Sequence, residues 1–179
     1  MKKSILAILA IVTVAISSCT KEDIAPSSTF VVNVNDLKGE IADGIVTLDP
    51  TKIYTLTGGL VVKSGATLII PAGTTIQSDP TADTEKAKTM YIAVERGAKI
   101  YSNGTASSPV VFTSGKAAGS RLRGDWGGII ILGNAPTNRP LSPAPLVEGG
   151  VDRRYGGTTA NDNSGTMRYV RIEFAGIAA

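Results

Sequence analysis

Two stretches of the chain alternate apolar and polar residues in the same phase. Leu60-Val61-Val62-Lys63-Ser64-Gly65-Ala66-Thr67-Leu68 and Ile92-Ala93-Val94-Glu95-Arg96-Gly97-Ala98-Lys99-Ile100 align at a constant offset of 32 residues. Leu60 then matches Ile92, Val62 matches Val94, Gly65 matches Gly97, Ala66 matches Ala98 and Leu68 matches Ile100. A period of two marks a strand with one buried face. The shared glycine falls where two short strands meet at a bend, and a residue without Cβ takes φ > 0 there cheaply. The stretches are therefore copies of one repeat. Between them the residues Asp79 to Thr89, DPTADTEKAKT, are polar and do not alternate. Read as an excursion, they shorten the underlying period to about 20–22 residues, within the range of stacked β-solenoid coils. Like residues then stack inward, and Lys63 meets Glu95 on the outside, a pair worth about 0.2–1 kcal/mol across neighbouring strands.

The later chain continues this theme less regularly. Pro109-Val110-Val111-Phe112-Thr113 predicts a short strand entered through proline, and Gly127 to Leu132 is an apolar run suited to cover on both faces. From Tyr169 to Phe174 the alternation directs Val170, Ile172 and Phe174 inward. Residues 133–166 are rich in Pro, Gly, Asn and Thr and are expected as long loops, as is 79–89. Phe30-Val31-Val32-Asn33-Val34 and the stretch around Ile41 suit an N-terminal cap. No stretch beyond residue 18 has helical periodicity, so the expected class is all-β: a right-handed single-stranded parallel β-helix, or β-solenoid. The sequence stops at Ala178-Ala179 just after a strand. A solenoid normally caps its last coil, so the expectation is an N-terminal portion of a longer solenoid, the alternative being that loops 133–166 cover the end.

The first residues read as an address rather than as fold. Lys2 and Lys3 precede a 12-residue run, Ile5 to Ile16, that is apolar except for Thr13. This is the layout of a signal peptide, and the run is shorter than the ~18–20 residues of a spanning helix. Ile16-Ser17-Ser18-Cys19 resembles the bacterial lipobox, in which an aliphatic residue and two small ones precede the cysteine that receives the lipid. Thr20-Lys21-Glu22-Asp23 resembles the export signal of Bacteroidota surface lipoproteins. Together they imply attachment to the membrane through Cys19, cell-surface exposure on the outer membrane, and multiple acyl chains, since one chain anchors only marginally. The expected organisation is a signal peptide at 1–18, a lipid-anchored flexible tether at 19–29, and a single β-helix domain at 30–179.

Composition changes the picture only after this segment is set aside. Lys2 and Lys3 are two of the 18 basic residues, so the rest has 16 against 15 acidic residues, a net charge of +1. No clustered basic face of a nucleic-acid binder remains. One cysteine excludes an intrachain disulfide framework, and the absence of histidine excludes Ser-His-Asp and Cys-His catalysis and imidazole-ligated zinc. The 20 glycines, 9 prolines and 5% aromatic residues fit many turns joining short strands.

A longer ordered series adds a resemblance. It runs from Val62-Lys63-Ser64-Gly65-Ala66-Thr67-Leu68-Ile69-Ile70-Pro71-Ala72-Gly73-Thr74-Thr75-Ile76 through Gly104-Thr105, Pro109-Val110-Val111-Phe112-Thr113-Ser114, Gly124-Asp125-Trp126-Gly127-Gly128-Ile129 and Tyr155-Gly156-Gly157. It closes with Asn163-Ser164-Gly165 and Arg168-Tyr169-Val170-Arg171-Ile172-Glu173-Phe174-Ala175-Gly176. Over roughly 53–176 the chain resembles secreted, often lipid-anchored Bacteroidota proteins with a pectin-lyase-like right-handed parallel β-helix. The resemblance implies a fold and a location more firmly than an activity.

Candidate sites follow from residue type. Trp126, the only tryptophan, lies between glycines beside Asp125 and suits either a sugar-stacking platform or a packed coil corner, the second being favoured. Arg121, Arg123, Arg153 and Arg154 flank the third coil and suit an acidic glycan or a lipopolysaccharide phosphate. Asn161-Asp162-Asn163-Ser164-Gly165 has oxygen donors that suit calcium, but lacks EF-hand spacing and is equally ordinary turn composition. β-Helix lyases and hydrolases use acidic residues, with an Arg or Lys as base in the lyases. Glu95, Glu173 and Asp125, near Arg96, Lys99 and Arg171, would be their counterparts here, although a solvated face needs the same alternating charges. No cofactor, metal site, catalytic residue or nucleic-acid partner is assigned. The sequence therefore favours a surface-exposed lipoprotein with a non-enzymatic β-helix display or binding module for glycans or envelope macromolecules. Trp126, Asp125, Arg121 and Arg123 are its candidate contacts. The alternative is a carbohydrate-active lyase or hydrolase whose catalytic part lies beyond this sequence.

Overall fold

The computed structural model describes residues 27–148 and 153–177. The signal peptide, the lipobox Ile16-Ser17-Ser18 and Cys19 lie outside the described residues. Strands β1 (Leu37–Ile41), β2 (Ile45–Thr47), β3 (Ile53–Val62), β4 (Thr67–Pro71) and β5 (Thr75–Ser78) precede a short helix, α1 (Thr84–Thr89). Then follow β6 (Tyr91–Val94), β7 (Lys99–Asn103), β8 (Val110–Thr113), β9 (Gly128–Ile131), β10 (Gly165–Arg168) and β11 (Val170–Ile172). Every pairing between these strands is parallel.

The pairings define three faces. Face one stacks β2, β4, β7 and β10, and face two stacks the first half of β3 with β5, β8 and β11. Face three stacks β1, the second half of β3, β6 and β9. Strand β3 bends through Thr57-Gly58-Gly59 and so serves two faces. The chain winds as a right-handed parallel β-helix, the hand that parallel crossovers overwhelmingly adopt.

Inward residues form columns through the coils: Val46–Leu68–Ile100, Tyr54–Ile76–Phe112, Leu60–Ile92 and Ile41–Val62–Val94, all buried. The 32-residue repeat pairs Leu60 with Ile92 and Leu68 with Ile100, as the alternation predicts. Where no excursion intervenes, Tyr54 pairs with Ile76, a spacing of 22. The glycines also sit as expected: Gly65 and Gly97 have φ of +86° and +78° at stacked corners, joined by a hydrogen bond from the Gly65 N–H to the Gly97 carbonyl of 3.0 Å.

Several expectations change. The 79–89 excursion contains α1, whose six residues are too few to show a period. The Asp83 carboxylate caps it by accepting from the Lys86 N–H at 2.8 Å. Lys86 also pairs with Asp79, and Ala82, Ala87 and Met90 are buried, so the excursion is packed onto the coil. Strand β10 begins at Gly165, inside the expected 133–166 loop. The last three residues of the expected tether are held: Ser27 bridges Ile45, and Ser28 and Thr29 hydrogen-bond Asp43. Phe30, Val32 and Val34 pack against the core beside the first coil.

At the other end, register places Ile131, Val170 and Ile172 over the inward residues Val94, Val110 and Phe112, yet Ile131 and Ile172 are 43% and 50% exposed. Each has a neighbouring coil on only one side among the described residues, so the apolar run 127–132 is not covered on both faces. Phe174 leaves the alternation at φ +58° and does not continue the inward column. No helix of the described residues is long and apolar enough to cross a membrane.

Replacing Gly97 by Val should cost about 1–3 kcal/mol because its φ is left-handed, read as a lower melting temperature by circular dichroism. Gly165→Ala should cost more. Its added Cβ would lie 1.9 Å from the Ile100 carbonyl oxygen, a backbone atom that cannot yield without loosening β10 from β7.

Candidate functional site

Excursions leave the stack at two corners, and each corner holds a cleft. The first lies between α1 and the β8–β9 connection, with a volume of about 430 Å³. Its wall contains the motif that the sequence singles out. Trp126 is 2% exposed, stacks on Phe112 at 6.3 Å between centroids, and donates its indole N–H to the Glu173 carbonyl at 2.9 Å. That burial corrects its assignment as a possible sugar contact, because no ring face is left for a ligand. Asp125 is corrected likewise. It is 4% exposed and accepts hydrogen bonds from Ser114 Oγ at 2.6 Å, Lys116 Nζ at 2.8 Å and the Leu122 N–H at 3.0 Å.

Burial alone would raise the pKa of Asp125, but the Lys116 ammonium and the bonds from Ser114 and Leu122 outweigh it and hold the carboxyl below its ordinary value. Arg121 donates Nε–H to the Lys116 carbonyl at 2.8 Å and lies 5.9 Å from the centre of the Phe174 ring, so it braces the corner. Arg123 is exposed on the cleft wall with Asp83 and Thr84. Of the four candidate contacts, only Arg123 is presented to solvent at the cleft without a partner among the described residues.

The second cleft, about 660 Å³, lies at the corner where face three turns into face one. Here the β9–β10 connection returns to the stack. Gly156 and Gly157 donate N–H groups to the carbonyls of Gly133 and Ala135, and Leu146 bridges Arg154. The return adds Arg153 to a ladder of charges on successive coils. Lys63 Nζ is 3.1 Å from Glu95 and 3.6 Å from Glu40, while Arg153 is 2.7 Å from Glu95 and 3.8 Å from Glu40. The expected Lys63–Glu95 pair is therefore half of a four-member network. Arg96 donates to the Gly156 carbonyl at 2.8 Å, and Arg154 donates to the Ala144 carbonyl. Ser64, Asn134 and Leu132 complete much of the wall.

The convergence of Arg96 with Arg153 and Arg154 crosses about 60 residues of sequence, and no local pattern announces it. A retrospective signal is that Arg96 occupies the corner position of Ser64 in the preceding coil. The oxygen-rich run 161–165 makes turns: Asp162 accepts from the Asn134 N–H at 2.8 Å and Asn163 from the Gly165 N–H at 2.8 Å. Glu173 accepts from Thr113 Oγ1 at 2.8 Å and pairs with Arg171.

The Asp125 corner has an acid signature. A carboxyl whose folded pKa lies below its unfolded value contributes stability above the unfolded pKa and loses it as pH falls through the folded one. Asp125→Asn should destabilise the protein by about 1–3 kcal/mol at neutral pH. The difference from wild type should shrink once pH falls below about 4, in melting curves measured across pH. Asp79, held at about 2 by Lys86 and Thr81, adds an acid-sensitive step at lower pH.

The family model described as the pectate-lyase like beta helix domain matches residues 39–179, nearly all of the coiled region. No curated protein and no solved structure matches the chain. With its stacked parallel coils and a match over most of its length, the chain belongs to the pectate-lyase-like β-helix domain family.

Proposed function

We propose that this protein is a bacterial lipoprotein, anchored through Cys19 to the outer face of the outer membrane. Its β-helix acts there as a non-enzymatic display and binding module for glycans or other envelope macromolecules. The state of the three candidate carboxylates weighs against the hydrolase alternative. Glycoside hydrolysis requires a general acid with a raised pKa beside a second, available carboxylate. Glu95 is already paired with Lys63 and Arg153, and Glu173 with Arg171 and Thr113. Asp125 is buried, and its pKa is shifted downward, the wrong direction for a general acid. A stack of coils with solvent-open clefts at its corners suits binding instead. The anchoring part rests on the lipobox-like Ile16-Ser17-Ser18-Cys19 and on the Lys21-Glu22-Asp23 signal behind it. The Bacteroidota origin rests on the same signal and on the resemblance.

Two measurements check this. Cys19→Ala should move the protein from the membrane pellet to the soluble fraction, and retention in the pellet would refute lipid anchoring. A panel of polysaccharides incubated with the detergent-extracted protein and run by size exclusion should co-elute with it at unchanged length. Shortened chains would establish an enzyme instead.

A further inference from the structure

We propose that the cleft between α1 and the β8–β9 connection binds a small apolar zwitterion, an amino acid or a short peptide. Asp83 holds its ammonium and Arg123 its carboxylate. This is a site for small molecules, and it goes beyond the display and binding of macromolecules. Of the four charged side chains on the cleft wall, two are spent on each other: Lys116 pairs with the buried Asp125 at 2.8 Å. Asp83 and Arg123 remain, both exposed, and neither forms an ion pair among the described residues. They stand on different walls, Asp83 as the cap of α1 and Arg123 in the β8–β9 connection.

Both walls are held in place. One oxygen of Asp83 accepts from the Lys86 N–H at 2.8 Å, which leaves the other without a partner among the described residues. Beside Arg123, the Leu122 N–H donates to Asp125 at 3.0 Å and the Gly124 N–H donates to the Ala175 carbonyl at 3.1 Å. Between the two charges the lining is largely apolar. Ala87 is buried, Ile177 is half-buried, and Leu122 is 66% exposed although its backbone is fixed. Covering such a side chain removes apolar surface from water. Thr84 adds a hydroxyl able to donate to or accept from a peptide group. A simple anion would be repelled by Asp83 and a simple cation by Arg123, whereas a ligand with both charges on an apolar body satisfies both walls. The guanidinium fork matches a carboxylate, and an ammonium donates to the open oxygen of Asp83. The volume of about 430 Å³ lies within the usual range for small-ligand sites, which are mostly apolar with a few placed polar groups.

The test is equilibrium dialysis of the full chain in detergent against leucine and leucyl-leucine, each also in its N-acetylated and its amidated form. Saturable binding of leucine, leucyl-leucine or both is expected. Asp83→Asn, which keeps the helix cap, and Arg123→Gln should each raise the dissociation constant about tenfold. Blocking the ligand should reproduce the substitutions: acetylation should weaken binding with no further loss in Asp83→Asn, and amidation likewise in Arg123→Gln. Tighter binding of leucine assigns the site to amino acids, and tighter binding of leucyl-leucine assigns it to peptides. Absence of saturable binding to both overturns the proposal, as does binding that neither block weakens. The blocked ligands decide this on the wild-type protein, so the result stands even where a variant does not fold. Arg154→Ala, at the other cleft, should bind as wild type, and loss of binding in that variant alone would place the site elsewhere and overturn the proposal.

Discussion

A strand in this protein finds its hydrogen-bond partners in the coils before and after it, never in the segment that follows it along the chain. Each coil must therefore present the same inward residues at the same height as its neighbour, or both the backbone ladder and the core column fail together. Leu68 lies on Ile100 and Ile76 on Phe112 because a slip of one residue would turn every inward side chain to solvent. The hydrophobic columns and the parallel ladders are one constraint seen from two sides, and the rest of the molecule is arranged around it.

That constraint decides where the chain is free to vary. Faces tolerate no insertion, so extra residues leave at corners: α1 after face two in the second coil, residues 114–127 at the same corner one coil later, and residues 132–164 after face three. An excursion must also come back to the height at which it left. Its return lays side chains from distant sequence against the stack, which is how Arg153 reaches Glu95 and Glu40. Partly exposed ion pairs contribute little energy individually. The alternation Glu40–Lys63–Glu95–Arg153 instead favours one register, since a one-residue slip would set Lys63 beside Val94 or Arg96 in place of Glu95.

Corner geometry also separates structural polar residues from available ones. Asp125 and Trp126 have the composition of a ligand site, but they close the corner beneath the last described coil. The carboxylate gathers Lys116, Ser114 and the Leu122 N–H, while the indole reaches the Glu173 carbonyl. Arg96 and Arg154 differ in kind, because backbone carbonyls hold them in place and neither forms an ion pair among the described residues.

The alternation at 60–68 and 92–100 determined the strands, their inward residues, the corner glycines, the period and the contact of Lys63 with Glu95, because each is a property of residues stacked at a constant offset. The same reasoning weakened wherever the offset was broken. Six-residue α1 is held by the Asp83 cap and the Lys86–Asp79 pair, neither of which depends on periodicity. The inward phase of Ile172 was legible, but its burial was not, since burial depends on whether a further coil lies against it. The burial of Trp126 agrees with the packed corner that the sequence favoured, whereas tertiary structure alone decided that Arg96 shares a cleft with Arg153 and Arg154. The path of a long connection is set by many weak contacts at its return, and no local pattern in its sequence encodes where it lands.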